Sequence, residues 1–203
     1  MAKGRESGMP DEAYWQTFFN PECIVARLDC AGAGDLVEFG CGYGHFTIAA
    51  AKLVSGNVFA LDIDPNMVAA TAAHAVDAGL ANVVAQERDF LADGCGRPDG
   101  SATYAMAFNI LHIEEPVELL REAYRVLAPG GKLGIIHWKT DLATPRGPSM
   151  SIRPQPEQCR GWAEQAGFQF LRDEDLSCCS WHWGMVLTRL SGGAFAGLDR
   201  FGR

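Results

Sequence analysis

Asp35-Leu36-Val37-Glu38-Phe39 is a short apolar run that ends in glycines at alternate positions, Gly40, Gly42 and Gly44. A run of this length bounded by turn residues reads as a buried strand. Glycines so spaced mark backbone that turns sharply and lets another group come close. Phe46, Ala49, Ala50 and Leu53 then recur at helical spacing, and Gly56 reads as the end of that helix. Buried strand, glycine turn and helix, in that order, commit the chain to an α/β architecture.

The alternation continues. Asn57 to Asp62 reads as a second strand, and Asp64-Pro65 as an N-cap with proline in the first helical turn, opening a helix to about Gly79. Val83 to Ala85 reads as a third strand and Ala102 to Phe108 as a fourth, with a turn-rich loop over 93–100 between them. Pro116 opens a helix with apolar Val117, Leu120, Tyr124 and Leu127, stopped by Pro129-Gly130-Gly131 before a fifth strand, Leu133 to Trp138. Residues 139–154, rich in Pro, Gly, Ser and Thr, are too long for a tight connection and read as a functional loop or lid. Pro156 starts the next helix, Gly167 ends it, and Phe168 to Leu176 with Trp181 to Leu190 read as a hairpin. The expected fold is a doubly wound, mostly parallel seven-stranded α/β sheet with an antiparallel C-terminal hairpin, Rossmann-like and covered on both faces. Residues 1–33, with the aromatic run Ala13 to Phe19, read as an N-terminal helical cap, 34–190 as the ligand-binding domain, and 191–203 as a flexible tail.

At 203 residues and 48% hydrophobic, the chain can bury one sizeable core. It has no apolar stretch of about 18 residues and no signal-peptide-like start, so a cytoplasmic protein without a membrane partner is expected. Asp and Glu outnumber Lys and Arg by 25 to 17, which on average repels polyanions and argues against nucleic acid. The cysteines, Cys23, Cys30, Cys41, Cys95, Cys159, Cys178 and Cys179, show no C-x-x-C pair and no metal-ligand spacing. Reduced thiols and no metal are the expectation. Cys178, Cys179 and His182 suggest a soft-metal site only weakly, because adjacent residues in a strand face opposite ways.

In a sheet of this kind the ligand sits outside the carboxyl ends of the strands, beside the first strand-to-helix turn. The turn reads E-x-G-x-G-x-G, with His45 where the dinucleotide fingerprint G-x-G-x-x-G needs glycine, which argues against NAD and FAD. Asp62 ends the second strand, where a carboxylate can accept hydrogen bonds from both hydroxyls of a ribose.

With Glu38 to Gly44, Asp62, and Asp89-Phe90 in this order, the sequence resembles the class I S-adenosylmethionine (SAM)-dependent methyltransferases over roughly residues 34 to 140. Phe108-Asn109-Ile110-Leu111-His112 and the run Arg125 to Leu133 are most similar to the ubiquinone and menaquinone biosynthesis methyltransferases. The resemblance implies SAM as cofactor. It implies that Gly40, Cys41, Gly42 and Gly44 form the loop against its amino-acid end with Glu38 nearby. It places Asp62 on the ribose, Ile63 on the adenine, and Asp89 on the adenine amino group, with Phe90 lining that pocket and Asn109 following at the end of the fourth strand. Tyr14 and Trp15 are candidates to close over the cofactor. One departure is Ala102-Thr103-Tyr104 where most relatives open the fourth strand with an acid, so the hydrogen bond of that acid is missing or replaced by Thr103.

SAM chemistry is direct displacement, which needs alignment and, for some acceptors, a base with a pKa near 7. His112 and His137, at the ends of the fourth and fifth strands, are the candidates. The expected acceptor is a small molecule, uncharged or aromatic, under the 139–154 loop. Two rivals stand beside this reading: a regulatory SAM-binding protein without catalysis, and another nucleotide-cofactor enzyme on a similar sheet. Monomer and homodimer both remain open.

Overall fold

The protein, a computed structural model that describes residues 9–191, contains seven strands: β1 (Leu36–Phe39), β2 (Val58–Asp62), β3 (Val83–Glu87), β4 (Ala102–Phe108), β5 (Leu127–Trp138), β6 (Gln169–Glu174) and β7 (His182–Thr188). Its helices are α1 (Glu12–Trp15), α2 (Pro21–Arg27), α3 (His45–Ala51), α4 (Pro65–Asp77), α5 (Pro116–Val126) and α6 (Pro156–Gln165). The strands form one sheet in the order β3-β2-β1-β4-β5-β7-β6. Strands β1 to β5 pair in parallel, and β7 lies antiparallel between β5 and β6. This is the doubly wound sheet with an antiparallel C-terminal edge that the alternation implies. The expected flexible tail lies outside the described residues beyond Ser191, as do the first eight residues of the expected cap.

The two-residue period of the strands sorts side chains onto two layers. Along β4, Tyr104, Met106 and Phe108 join α2 and α3 in one cluster, while Ala105 and Ala107 join α5 and α6 in the other. Along β1, Leu36 faces the first layer and Val37 and Phe39 the second. Glu38 therefore lands on the α3 side, inside the core. Burial of each leucine-sized side chain contributes roughly 1.5–3 kcal/mol, so two such layers hold the sheet. Because β1 lies between β2 and β4, the connections diverge there and leave a crevice at the carboxyl ends of the strands.

Local signals start the helices. Asp64 accepts from Asn66 N at 2.9 Å with Pro65 next, and Asn20 accepts from Cys23 N at 3.1 Å with Pro21 next. At the start of the fourth strand Thr103 Oγ1 accepts from Gly34 N at 2.7 Å.

Several expectations need correction. Helix α3 ends at Ala51, and Leu53, expected on its apolar face, is exposed. Gly56 serves a close approach instead: a Cβ there would sit 2.5 Å from Gly34 and Asp35 backbone. The run Ala13 to Phe19 is one α-turn and one 3-10 turn, broken because Phe19 is extended where the chain enters α2. Strand β5 begins at Leu127, whose side chain is buried, so Pro129-Gly130-Gly131 is a register break inside the strand. Cys178 and Cys179 lie in the turn before β7, and Cys178 is disulfide-bonded to Cys23. That overturns the reading of Cys23 and Cys178 as reduced thiols, a pairing across 155 residues that no local spacing reveals. Among the described residues no group of three or more His, Cys, Asp or Glu side chains could hold a metal ion, and no helix is long and apolar enough to cross a membrane.

Candidate active site

The glycine loop owes its shape to backbone conformations that side chains disfavour. Gly40, Gly42 and Gly44 have φ of +79°, +53° and +79°, in the left-handed region that glycine occupies without steric cost. Gly40 N and Cys41 N both donate to Leu61 O, at 2.8 and 2.9 Å, tying the loop to β2. A Cβ on Gly44 would lie 2.7 Å from Thr71 Oγ1, so α4 packs directly on the loop.

The loop forms one wall of a cleft of about 110 Å³. Gly40, Cys41, Gly42, Asp62, Ile63, Phe90, Asn109 and His112 line it, bringing together much of the set expected from the sequence. Met9, Trp15, His45, Phe46, Phe108, Ile110 and Ile113 also line it. Of these, Trp15 alone is among the candidates for the cofactor expected from the sequence. Ile110 and Ile113, so close to Asn109, carried a signal in their position; Met9 carried none.

Other expected residues stand elsewhere. Glu38 does not reach the cleft: it is 1% exposed behind the loop, where Thr47 Oγ1 donates to it. Burial raises its pKa to about 8, with Thr47 opposing and the Asp62 charge reinforcing the rise, so the carboxyl is mainly protonated at neutral pH. Gly44 caps α3. Tyr14 points away: it is 46% exposed, packs edge to face on Phe18, and its hydroxyl donates to Pro145 O at 3.4 Å. One residue along a helical turn changes the face by about 100°, which is why Trp15 takes the cleft side. Asp89 Oδ1 caps the following turn, accepting from Leu91 N and Ala92 N at 3.2 and 3.1 Å.

Within the cleft, Asp62 accepts from Gly42 N at 2.9 Å and from Asp64 N at 3.0 Å. Burial raises its pKa, while those backbone donors oppose the shift. Asn109 has φ +55°, a conformation asparagine tolerates better than most residues. Its side-chain Nδ2 and Oδ1 are both buried with no protein partner. A buried amide without partners costs on the order of 1–3 kcal/mol, so its position in a cleft points to a ligand that satisfies it. His112 Nδ1 lies 3.3 Å from His137 Nε2. His137 is wholly buried and does not line the cleft. Burial above all, with His112 and His182 adding to it, holds its pKa well below the ordinary histidine value, so it is neutral.

A segment ahead of the sheet is pinned across the cleft. Tyr43 Oη donates to Pro10 O at 2.8 Å, and Glu12 Oε1 lies 3.0 Å from His45 Nε2 and 3.3 Å from His74 Nε2.

Glycine loop, strand-end carboxylate and switch-point cleft together form a site suited to a nucleotide-like cofactor. Residues 36–131 match the family model described as a methyltransferase domain. The chain is 31% identical over 112 residues to the ubiquinone biosynthesis O-methyltransferase of Xanthomonas oryzae pv. oryzae (strain PXO99A), covering 54% of this chain and 45% of that protein. It is 33% identical over 115 residues to the demethylmenaquinone methyltransferase of Geobacillus sp. (strain WCH70), covering 55% and 48%. The chain thus spans about half the length of these curated relatives. A crystal structure of a SAM-dependent methyltransferase from Aquifex aeolicus shares the fold at a TM-score of 0.77 and 22% identity, covering 89% of this chain and 95% of that one. The orphaned Asn109 amide, the glycine loop and the Asp62 carboxylate fit a ligand with an amino-acid end and a ribose.

Proposed function

We propose that this chain transfers a methyl group from SAM to a small-molecule acceptor. The observation that carries the proposal is the buried, unpartnered Asn109 amide facing the same cleft as Gly40, Gly42 and Asp62. When bound, SAM supplies an electrophilic methyl group on a sulfonium. In this reading residues 34–190 are the SAM-binding unit. Gly40, Cys41 and Gly42 receive the amino-acid end, Asp62 the ribose hydroxyls, and Ile63 and Phe90 the adenine. Trp15 covers the cleft.

His112 is the candidate to take a proton from the acceptor, since it lines the cleft. His137 lies against His112 and against Trp183, whose ring stacks with it at 6.3 Å. It is a positioning residue, holding the His112 ring by a hydrogen bond and staying neutral so that a proton can be shared. The names of the ubiquinone and demethylmenaquinone methyltransferase relatives support a small-molecule acceptor. A cytoplasmic home would keep Cys23 and Cys178 reduced. The disulfide weighs against that placement, and thiol titration of the protein as isolated tests it.

Calorimetry with SAM, paired with methyl-labelled SAM and a small-molecule extract, tests the proposal. SAM binding with labelled product supports it. SAM binding without product leaves a regulatory protein, and stabilisation by NAD instead of SAM refutes the cofactor assignment.

A further inference from the structure

A second cleft opens beside the first, between the β4–α5 connection and residues 151–154 with α6. His112 and Ile113 line both clefts, so the two are continuous at the candidate base. Ile152, Pro154 and Trp162 give the second an apolar body.

Its distinctive group is Arg153. Nε donates to Pro148 O at 2.8 Å, Nη1 to Lys139 O at 2.9 Å and Nη2 to Arg146 O at 3.1 Å. These carbonyls fix the plane of the guanidinium without cancelling its charge. Five N–H donors less three leaves one on each terminal nitrogen, the fork that suits an oxyanion. Among the described residues no carboxylate forms an ion pair with Arg153, whereas Arg160 and Arg172 are paired. Burial lowers its pKa, the mark of a cation partly removed from water without an anion to compensate it. Glu114 lines the same cleft but is exposed, where solvent screens it. The chain as a whole carries a net charge of −8, so an anion would come here only for a local, desolvated cation.

Resting on the methyl-transfer reading above, we propose that the acceptor carries an oxyanion, a carboxylate or a phosphate, seated on Arg153, with its nucleophilic end at His112. The acceptor is an apolar molecule with an anionic head, in place of the uncharged one expected from the sequence. Arg153 sets specificity by charge and orients the acceptor toward the cofactor cleft.

The test uses the full chain with methyl-labelled SAM and a small-molecule extract, and passes the labelled product over an anion exchanger at pH 7. Retention supports the proposal, and loss of retention after phosphatase treatment assigns the head as phosphate instead of carboxylate. A labelled product that flows through overturns it while leaving methyl transfer intact; no labelled product removes the transfer reading on which it rests. With the retained acceptor, Arg153→Gln should lower kcat/KM about tenfold or more while SAM affinity stays within about threefold, and Arg153→Lys should recover part of the loss, as expected when a charge-assisted contact is removed and partly restored. Unchanged kcat/KM in Arg153→Gln overturns the assignment even if the loop tolerates the change.

Discussion

Gly44→Ala offers the sharpest test of how the cofactor loop is held. Two costs add at this position. Alanine at φ +79° loses roughly 1–2 kcal/mol to the left-handed conformation. Its Cβ would also stand 2.7 Å from Thr71 Oγ1 and 2.8 Å from Thr71 Cγ2, an overlap of the kind that costs about 1–3 kcal/mol. The expected destabilisation is therefore about 2–5 kcal/mol, read as a lower urea midpoint with an unchanged slope. Thr71→Ala alone should cost about 1 kcal/mol, because it strands the Gly42 carbonyl that Thr71 Oγ1 now serves at 2.9 Å. In the double variant both clashing atoms are gone while the backbone strain stays. The two costs should then fall short of additivity by at least about 1 kcal/mol, a coupling expected only of residues in contact. Additivity within about 0.3 kcal/mol, or a single Gly44→Ala cost below about 0.5 kcal/mol, would refute the claim that α4 packs on the loop through Thr71.

Three further outcomes follow from the site. Glu38 keeps its proton up to about pH 8 in the folded protein but loses it near 4.5 when unfolded, so the folded state binds the extra proton between those values. Its stabilising contribution is complete below the lower value and fades as pH rises to the upper, by about 5 kcal/mol in all; the Tm of wild type minus that of Glu38→Gln should fall between pH 5 and 9, and a constant difference contradicts the burial argument. Reducing the Cys23–Cys178 disulfide, which closes a loop spanning 155 residues, should lower stability by about 2–5 kcal/mol, and an unchanged midpoint in dithiothreitol shows that it contributes nothing. His112→Ala should reduce kcat by about 10²–10⁴-fold if it takes a proton, with SAM affinity by calorimetry little changed; near-normal turnover removes it as the base.

The sequence alone determined the alternation of strands and helices along the chain, the doubly wound sheet it implies, the glycine loop and the place of Asp62 at the end of the second strand. Those features rest on local physics: side-chain period, conformations open to glycine, and caps such as Asp64-Pro65, which act within a few residues.

Tertiary structure alone decided the rest. Glu38 and Thr47 meet because β1 and α3 bury the same face; spacing names the face without naming its neighbour. Trp15, one residue from Tyr14, took the cleft because of where the first turn docks. His112 and His137, Cys23 and Cys178, and Arg153 with its three carbonyls are contacts between distant segments. Their geometry depends on how whole layers pack, and packing is a property of the folded chain that no short window of sequence contains.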